Sequence, residues 1–319
     1  MTEYWIPYMW SKRALAKDII HFIRQHNPKA KYLYDIFWGG GSVSFEALQQ
    51  GFEKVYYVDL DKWMCNLMEQ IKKGIPKERY NRISKEQFEE LKDKEDAYSV
   101  CMSLCFSFWN RRETYAYSSD LEPRKKALHY AVVYGDYTYL KEIWIERELE
   151  WDTIDERRLD IKNKTDLWIM RKLAEAYSDS WIYSLQTMQA LENIQRLQNI
   201  ERLQNIERLE NIEIINISYK NLNVETPIDE TVIYCDPPYR WTWTYKIQEQ
   251  AFDYKALDKR FKELPCIAYM SEEQPHEIAL TMEKQRTMQM KSRSKVFEIL
   301  YTNWKTLEKK KEVIESALF

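Results

Sequence analysis

Glycine is scarce in this chain, with 6 among 319 residues against 12 tryptophans. At the usual share a chain of this length carries about 22 glycines. Turns that need a left-handed backbone are therefore rationed, and the few glycines mark them. Cysteine is sparse too: five, an odd number at irregular spacing. That excludes a disulfide framework and leads us to expect a reducing, cytoplasmic setting. No apolar stretch approaches the roughly 18 residues of a membrane span, and the first thirteen residues hold no apolar signal core, so neither membrane insertion nor secretion is expected. His21, His26, His129 and His276 show no ligand spacing, and Cys101 and Cys105 lack a second pair, so no metal is expected. The net charge is −3. A nucleic-acid partner would therefore have to meet a local basic face. What is present, 45% hydrophobic and 31% charged residues, is the balance of a soluble globular protein of one large or two ordinary domains.

In 13–26, Leu15, Ile19, Phe22 and Ile23 fall at helical spacing. A short apolar run at 32–37 reads as a buried strand. It ends at Gly39, Gly40 and Gly41, after which Ser42 is placed to cap a helix running to residue 49. A second strand at 55–58 stops at Asp59, and a helix follows over 61–73. Strand, glycine turn, helix, strand and acid in that order begin a parallel α/β sheet. From 76 to 190 the rhythm is lost. This stretch is rich in charge, Tyr and Trp, and Gly135 is its one glycine. The α/β rhythm returns with strands at 212–217 and 231–235, a helix at 254–262, and strands at 266–270 and 296–301. The expected organisation is a discontinuous α/β domain over 1–75 and 213–319, an inserted helical region over 76–190, and a repeat segment over 191–212.

That segment repeats a hexapeptide, LENIQR-LQNIER-LQNIER-LENIEI, with Leu or Ile at every third position from Leu191 to Ile212. A three-residue step lags a helical turn by about 60°, so the steps between these eight positions spread the apolar residues right around a helix. A solenoid-like coil with one side per hexapeptide fits the pattern better than a one-sided helix, with the helix as the alternative.

The most specific chemical signal is Asp236-Pro237-Pro238-Tyr239, directly after a predicted strand. An acid at the carboxyl end of a parallel strand sits where α/β folds bind ligands. The prolines stiffen the loop and leave carbonyls free of local donors. A carboxylate and a carbonyl together can hold both protons of one amino group, and Tyr239 offers a face to a planar base. Phe37-x-Gly39-x-Gly41 follows the first strand and suits close approach of a ligand to backbone amides. Asp59, at the end of the next strand, suits ribose hydroxyls. Each alone also reads as an ordinary turn, cap or core residue; the three in this order are far more specific. Lys284, Arg286, Lys291, Arg293 and Lys295 form a basic run that reads equally as a phosphate contact or as solvated charge. Arg111, Arg112, Arg124, Lys125 and Lys126, near Tyr115 and Tyr117, suit a DNA-contacting surface.

On these residues the chain resembles the Dam-like, DPPY-type adenine-specific DNA methyltransferases, particularly phage-encoded members. The segments that carry the resemblance are Tyr8-Met9-Trp10-Ser11-Lys12-Arg13, Asp35 through Glu46, Cys105 through Arg111, and Asp236 through Tyr239. Ile217-Ser218-Tyr219 looks like the step before DPPY, with Ser218 where an acid is common. The resemblance implies a Rossmann-like S-adenosylmethionine-dependent methyltransferase sheet with an inserted, mostly helical target-recognition region. It implies methyl transfer to the N6 amine of a flipped-out adenine in double-stranded DNA, by a protein that is monomeric when free in a prokaryotic cytoplasm. Tyr8, Lys12, Asp35, Phe37, Gly39, Gly41, Asp59 and Asp236 would serve the cofactor. Asp236, Pro237 and Tyr239 would hold the target base, and Asn110, Arg111, Arg112, Tyr115 and Lys125 would meet DNA. The alternatives are methylation of another planar amine or amide, such as an RNA base or a protein Gln, and a catalytically impaired DNA- or cofactor-binding homologue.

The resemblance also bears on the missing glycines. Trp10, Trp38, Trp109, Trp241 and Trp243 each stand where the family pattern carries Gly. UGA codons translated as Trp in place of Gly would account for all five.

Overall fold

The structure is a computed structural model. It describes residues 4, 6–8, 11–74, 81–107, 110–116, 122–143, 152–163, 179–238, 252–272, 284–287 and 295–303, the side chains of 179–190, 272, 284–287, 295–299 and 301 excepted. The chain divides into two compact units. The first comprises Met1–Ile6, Trp10–Lys72 and Leu203–Phe319, the second Pro7–Met9 and Lys73–Arg202.

The first unit is built on a sheet of β1 (Tyr32–Ile36), β2 (Lys54–Asp59), β3 (Ile212–Asn216), β4 (Thr231–Cys235), β5 (Ile267–Glu272), β6 (Lys284–Thr287) and β7 (Lys295–Thr302), in the order β3-β2-β1-β4-β5-β7-β6. The first five strands in that order run parallel, and β7 runs antiparallel to both of its neighbours. β4 is buried along its whole length and β1 along all but Tyr32, as expected of strands with covered faces and near-continuous apolar sequence. The chain winds outward from β1 through β2 to β3, then restarts beside β1 with β4. The β1/β4 boundary is therefore the switch point at which doubly wound sheets open a ligand crevice. The sequence reading missed β6, whose four residues (Lys-Gln-Arg-Thr) carry no apolar alternation to announce a strand.

Helices α1 (Ala16–His26) and α2 (Ser42–Gln49) flank the early strands. α1 buries Ala16, Ile19, Ile20 and Ile23, an apolar stripe at helical spacing. The N-cap of α2 is Gly41, in the left-handed region at φ 71°, and not Ser42. Ser42 instead turns its hydroxyl to that of Ser11, 2.8 Å away. α3 (Lys62–Lys73) follows β2. Tyr34, Ile36, Ile233, Cys235 and Ala268 from the strands pack with Tyr219, Leu257 and Phe261 into one core.

The second unit is helical. It contains α4 (Lys85–Leu91), opened by a Ser84/Gln87 capping box, α5 (Ala97–Phe106), capped by Asp96, and α6 (Glu122–His129), which runs into a π turn over Tyr130–Tyr134 and stops at left-handed Gly135. The long helix α7 (Asp179–Leu203) enters the hexapeptide repeat, and α8 (Tyr254–Glu263) belongs to the first unit. Leu128, Val132, Leu140, Ile161, Leu191 and Ile194 share the second unit's core.

The repeat is not a solenoid. Leu191, Ile194, Leu197, Ile200 and Leu203 lie on α7 and are all buried, together with Asn193, Gln198 and Asn199. A helix covered over so wide an arc has no single face from which a lagging stripe can drift, which removes the objection to a helical path. Beyond Leu203 the same hexapeptide leaves the helix. Arg208 turns left-handed at φ 67°, a 3-10 turn spans Leu209–Asn211, and β3 begins at Ile212.

Candidate active site

Three acids mark the carboxyl ends of three adjacent parallel strands: Asp35 on β1, Asp59 on β2 and Asp236 just past β4. Asp236 continues the β4 ladder, its backbone N–H donating to the Ile36 carbonyl at 3.1 Å. Its carboxylate Oδ1 lies 2.7 Å from the Nζ of Lys12, a lysine whose side chain is only 4% exposed. Lys12 opens a 3-10 turn before α1 that is started by the Ser11 cap. Asp35 is buried and accepts a 2.7 Å hydrogen bond from the Ser44 hydroxyl on α2. Burial raises its pKa well above the usual carboxylate range, and the negative charges of Asp236 and Asp59 add to the rise.

The loop after β1 is built from left-handed residues, with φ of 65° at Phe37, 54° at Gly39 and 71° at Gly41. Phe37 is the unusual one, since a Cβ disfavours that region. Its N–H is held by the Val58 carbonyl at 3.1 Å, and its ring packs in a triangle with Tyr219 and Phe252, with centroids at 5.2 and 5.6 Å. Gly39 N–H donates to Asp59 Oδ2 at 3.3 Å, and Asp61 N–H to Oδ1 at 2.8 Å. Burial pushes Asp59 up to about 6 in spite of these donors. The loop and the second acid thus form one unit.

Trp38 lies in the middle of this loop and is buried. Its indole stands edge-on to Tyr57 with centroids 3.7 Å apart, closer than the 4.5–7 Å that aromatic pairs prefer. It presses on Gly41 so closely that a Cβ there would collide with the indole. Its Nε1 has no hydrogen-bond partner among the described residues.

The site residues expected from sequence fall into three groups. Lys12, Asp35, Phe37, Gly39, Gly41, Asp59, Asp236 and Pro237 all belong to the first unit, at or near the strand ends. Tyr8, half-buried, belongs to the second unit. Tyr239, Trp10, Trp109, Tyr117, Trp241, Trp243, Lys291 and Arg293 lie outside the described residues. Sequence reasoning missed Ser44, the partner of Asp35, and the Tyr219–Phe252 wall against Phe37. A serine inside a helix carries no signal, whereas Tyr219 was noted only as part of a motif.

Of the residues expected at DNA, three turn inward. Arg112 is buried, its Nε donating to Ser103 Oγ at 2.7 Å and its Nη2 to the carbonyls of Lys92 and Lys94 at 2.7 and 2.8 Å. Tyr115 Oη donates to the Ile83 carbonyl at 3.1 Å. Lys125 packs its Nζ against the rings of Tyr115 and Phe106, 3.9 and 4.7 Å from their centroids. Burial, with the charge of Arg82, pushes its pKa down to about 6. These three hold the helical unit together from within, and so placed they offer no surface to DNA. The reason is local: the carbonyls of Lys92 and Lys94, just past the end of α4, and of Ile83 find their donors on Arg112 and Tyr115. Asn110 and Arg111 remain half-exposed.

Among the described residues no group of three His, Cys, Asp or Glu could hold a metal ion, and no helix is long and apolar enough to cross a membrane.

A run of parallel strands with a glycine loop and acids gathered at its switch point is the arrangement in which α/β folds open a ligand crevice. The chain belongs to the D12 class N6 adenine-specific DNA methyltransferase family, whose model matches residues 8–313. The reaction of that family is methylation of DNA adenine at N6, and the Rossmann-like sheet found here is consistent with it. No curated protein matches the chain.

Proposed function

We propose that this chain uses S-adenosylmethionine to methylate the N6 amine of an adenine flipped out of double-stranded DNA, with Asp236 and the Pro237 carbonyl as acceptors for that amine. The observation that carries the reading is the position of Asp236, one residue past β4 at the switch point and beside the glycine loop of β1. When bound, the cofactor supplies an electrophilic methyl sulfonium. The lone pair of the amine is delocalised into the adenine ring. Two acceptors on its protons favour a pyramidal nitrogen whose lone pair points away from the ring plane, so positioning and fixed charge do the work. A paired adenine cannot present its amine in this way, hence the flip. Lys12 balances the Asp236 charge beside two other acids, and Tyr239 stacks on the base. Asn110 and Arg111 are the members of the expected DNA set that keep exposed surface.

The acids and the glycine loop suit the cofactor, with Asp59 for its ribose hydroxyls, but the indole of Trp38 does not. It fills the space over Gly41 that a ligand approaching the loop would use. The test is therefore run on the chain and on its Trp38→Gly variant, with methyl-labelled cofactor and unmethylated DNA. Label recovered as N6-methyladenine, and lost on Asp236→Ala, is the expected result. Label in RNA or protein only would favour the other planar amines.

A further inference from the structure

We propose that the residue at position 38 in the working protein is glycine, encoded by a UGA codon, and that tryptophan there closes the cofactor cradle. The inference rests on the cofactor reading above and concerns one side chain within it.

Four observations carry it. The loop is shaped by left-handed backbone at Phe37, Gly39 and Gly41, a form used where a ligand must come close to the main chain. The indole lies on Gly41, within the space a Cβ would take, and crowds Tyr57 at a centroid distance of 3.7 Å. Its buried Nε1 makes no hydrogen bond among the described residues, whereas a buried indole N–H ordinarily finds an acceptor. And the chain holds twice as many tryptophans as glycines. A single misread codon class produces this pattern: UGA taken as Trp removes a glycine and adds a tryptophan each time. An ordinary core tryptophan would show the opposite signs, a satisfied N–H and contacts at normal separation.

Two measurements test this. The gene is sequenced at codon 38, where UGA is expected and UGG overturns the assignment. Binding of S-adenosylmethionine is then followed by calorimetry for the chain, for Trp38→Gly and for Trp38→Ala, with melting temperatures recorded alongside. The expected result is affinity greater by about tenfold or more in both variants, with the melting temperature unchanged or raised. Equal affinity in all three, or a melting temperature that falls steeply in both variants, overturns the proposal. A variant that binds the cofactor tightly yet methylates no DNA would leave this inference intact and remove the adenine reading. A tryptophan-bearing chain that methylates DNA at full rate would do the reverse.

Discussion

The two units bury ionisable side chains for different ends. In the sheet unit three carboxyl groups, Asp35, Asp59 and Asp236, gather at the ends of neighbouring parallel strands beside the buried Lys12. In the helical unit the buried ionisable groups are basic: Arg112, Lys125, Arg157 and Arg158. Asp236 and Asp59 raise the pKa of Asp35, and Lys12 offsets Asp236. Perturbed acids gathered in this way are characteristic of functional sites. The buried basic groups each meet a local structural need. Arg157 donates to the Val132 carbonyl at 2.8 Å beneath the π turn, and Arg158 to Gln198 Oε1 on α7 at 3.0 Å. A buried charge is thus read by what it faces: donors satisfied by backbone carbonyls indicate structure, and like charges converging at a switch point indicate a site.

That contrast can be broken experimentally. The largest effect is expected at Asp236. Asp236→Ala should lower methyl transfer by about 10²–10³-fold, the usual cost of losing one preorganised hydrogen-bonding group, and should also lower the melting temperature, because Lys12 is left buried without its carboxylate partner. In the helical unit Arg112→Ala should act on stability alone. Three acceptors lose their donors, so unfolding free energy should fall by about 3 kcal/mol, visible in denaturant titration, with cofactor affinity unchanged. Lys12→Met removes a buried charge-assisted bond worth about 1.5–3 kcal/mol, and single-turnover assays should show a slower methyl-transfer step. Lys12→Arg should recover part of that rate.

The smallest effects are those of pH, and their signs differ between the units. Asp59 has a folded pKa of about 6 against about 3.9 in an unfolded chain. The folded form therefore holds an extra proton between those values, and its stabilising contribution, present at lower pH, is lost as pH rises through 6. Lys125 is pushed down to about 6 from about 10.4 when unfolded. The unfolded chain holds the extra proton across that window, so stability rises with pH between 6 and 10. Asp59→Asn should flatten the first slope and Lys125→Met the second, each read from unfolding midpoints across pH.

Much of the sheet was legible in the sequence because strand, glycine turn and acid recur in one order. Phe37, Asp59 and Asp236 stand where that order puts them, at strand ends. The helical unit was less legible. Basic and aromatic residues near 111–125 read as a surface, yet a one-dimensional pattern cannot tell an arginine that faces solvent from one that satisfies carbonyls across a packed interior. The repeat misled for a related reason. Its three-residue period argues against a one-sided helix, but α7 is covered over a wide arc, so periodicity lost its discriminating power there. Trp38 was flagged by comparison with the family pattern, and its geometry over Gly41 gives that flag a physical cause.

The central claim is that Asp236, at the β1/β4 switch point, holds the adenine amine. The direct measurement is mass spectrometry of nucleosides from unmethylated DNA incubated with S-adenosylmethionine and the Trp38→Gly chain, with and without Asp236→Ala. The account predicts N6-methyladenine that disappears with the aspartate. N6-methyladenine formed equally without it, or none formed by a variant that binds the cofactor, would contradict the account.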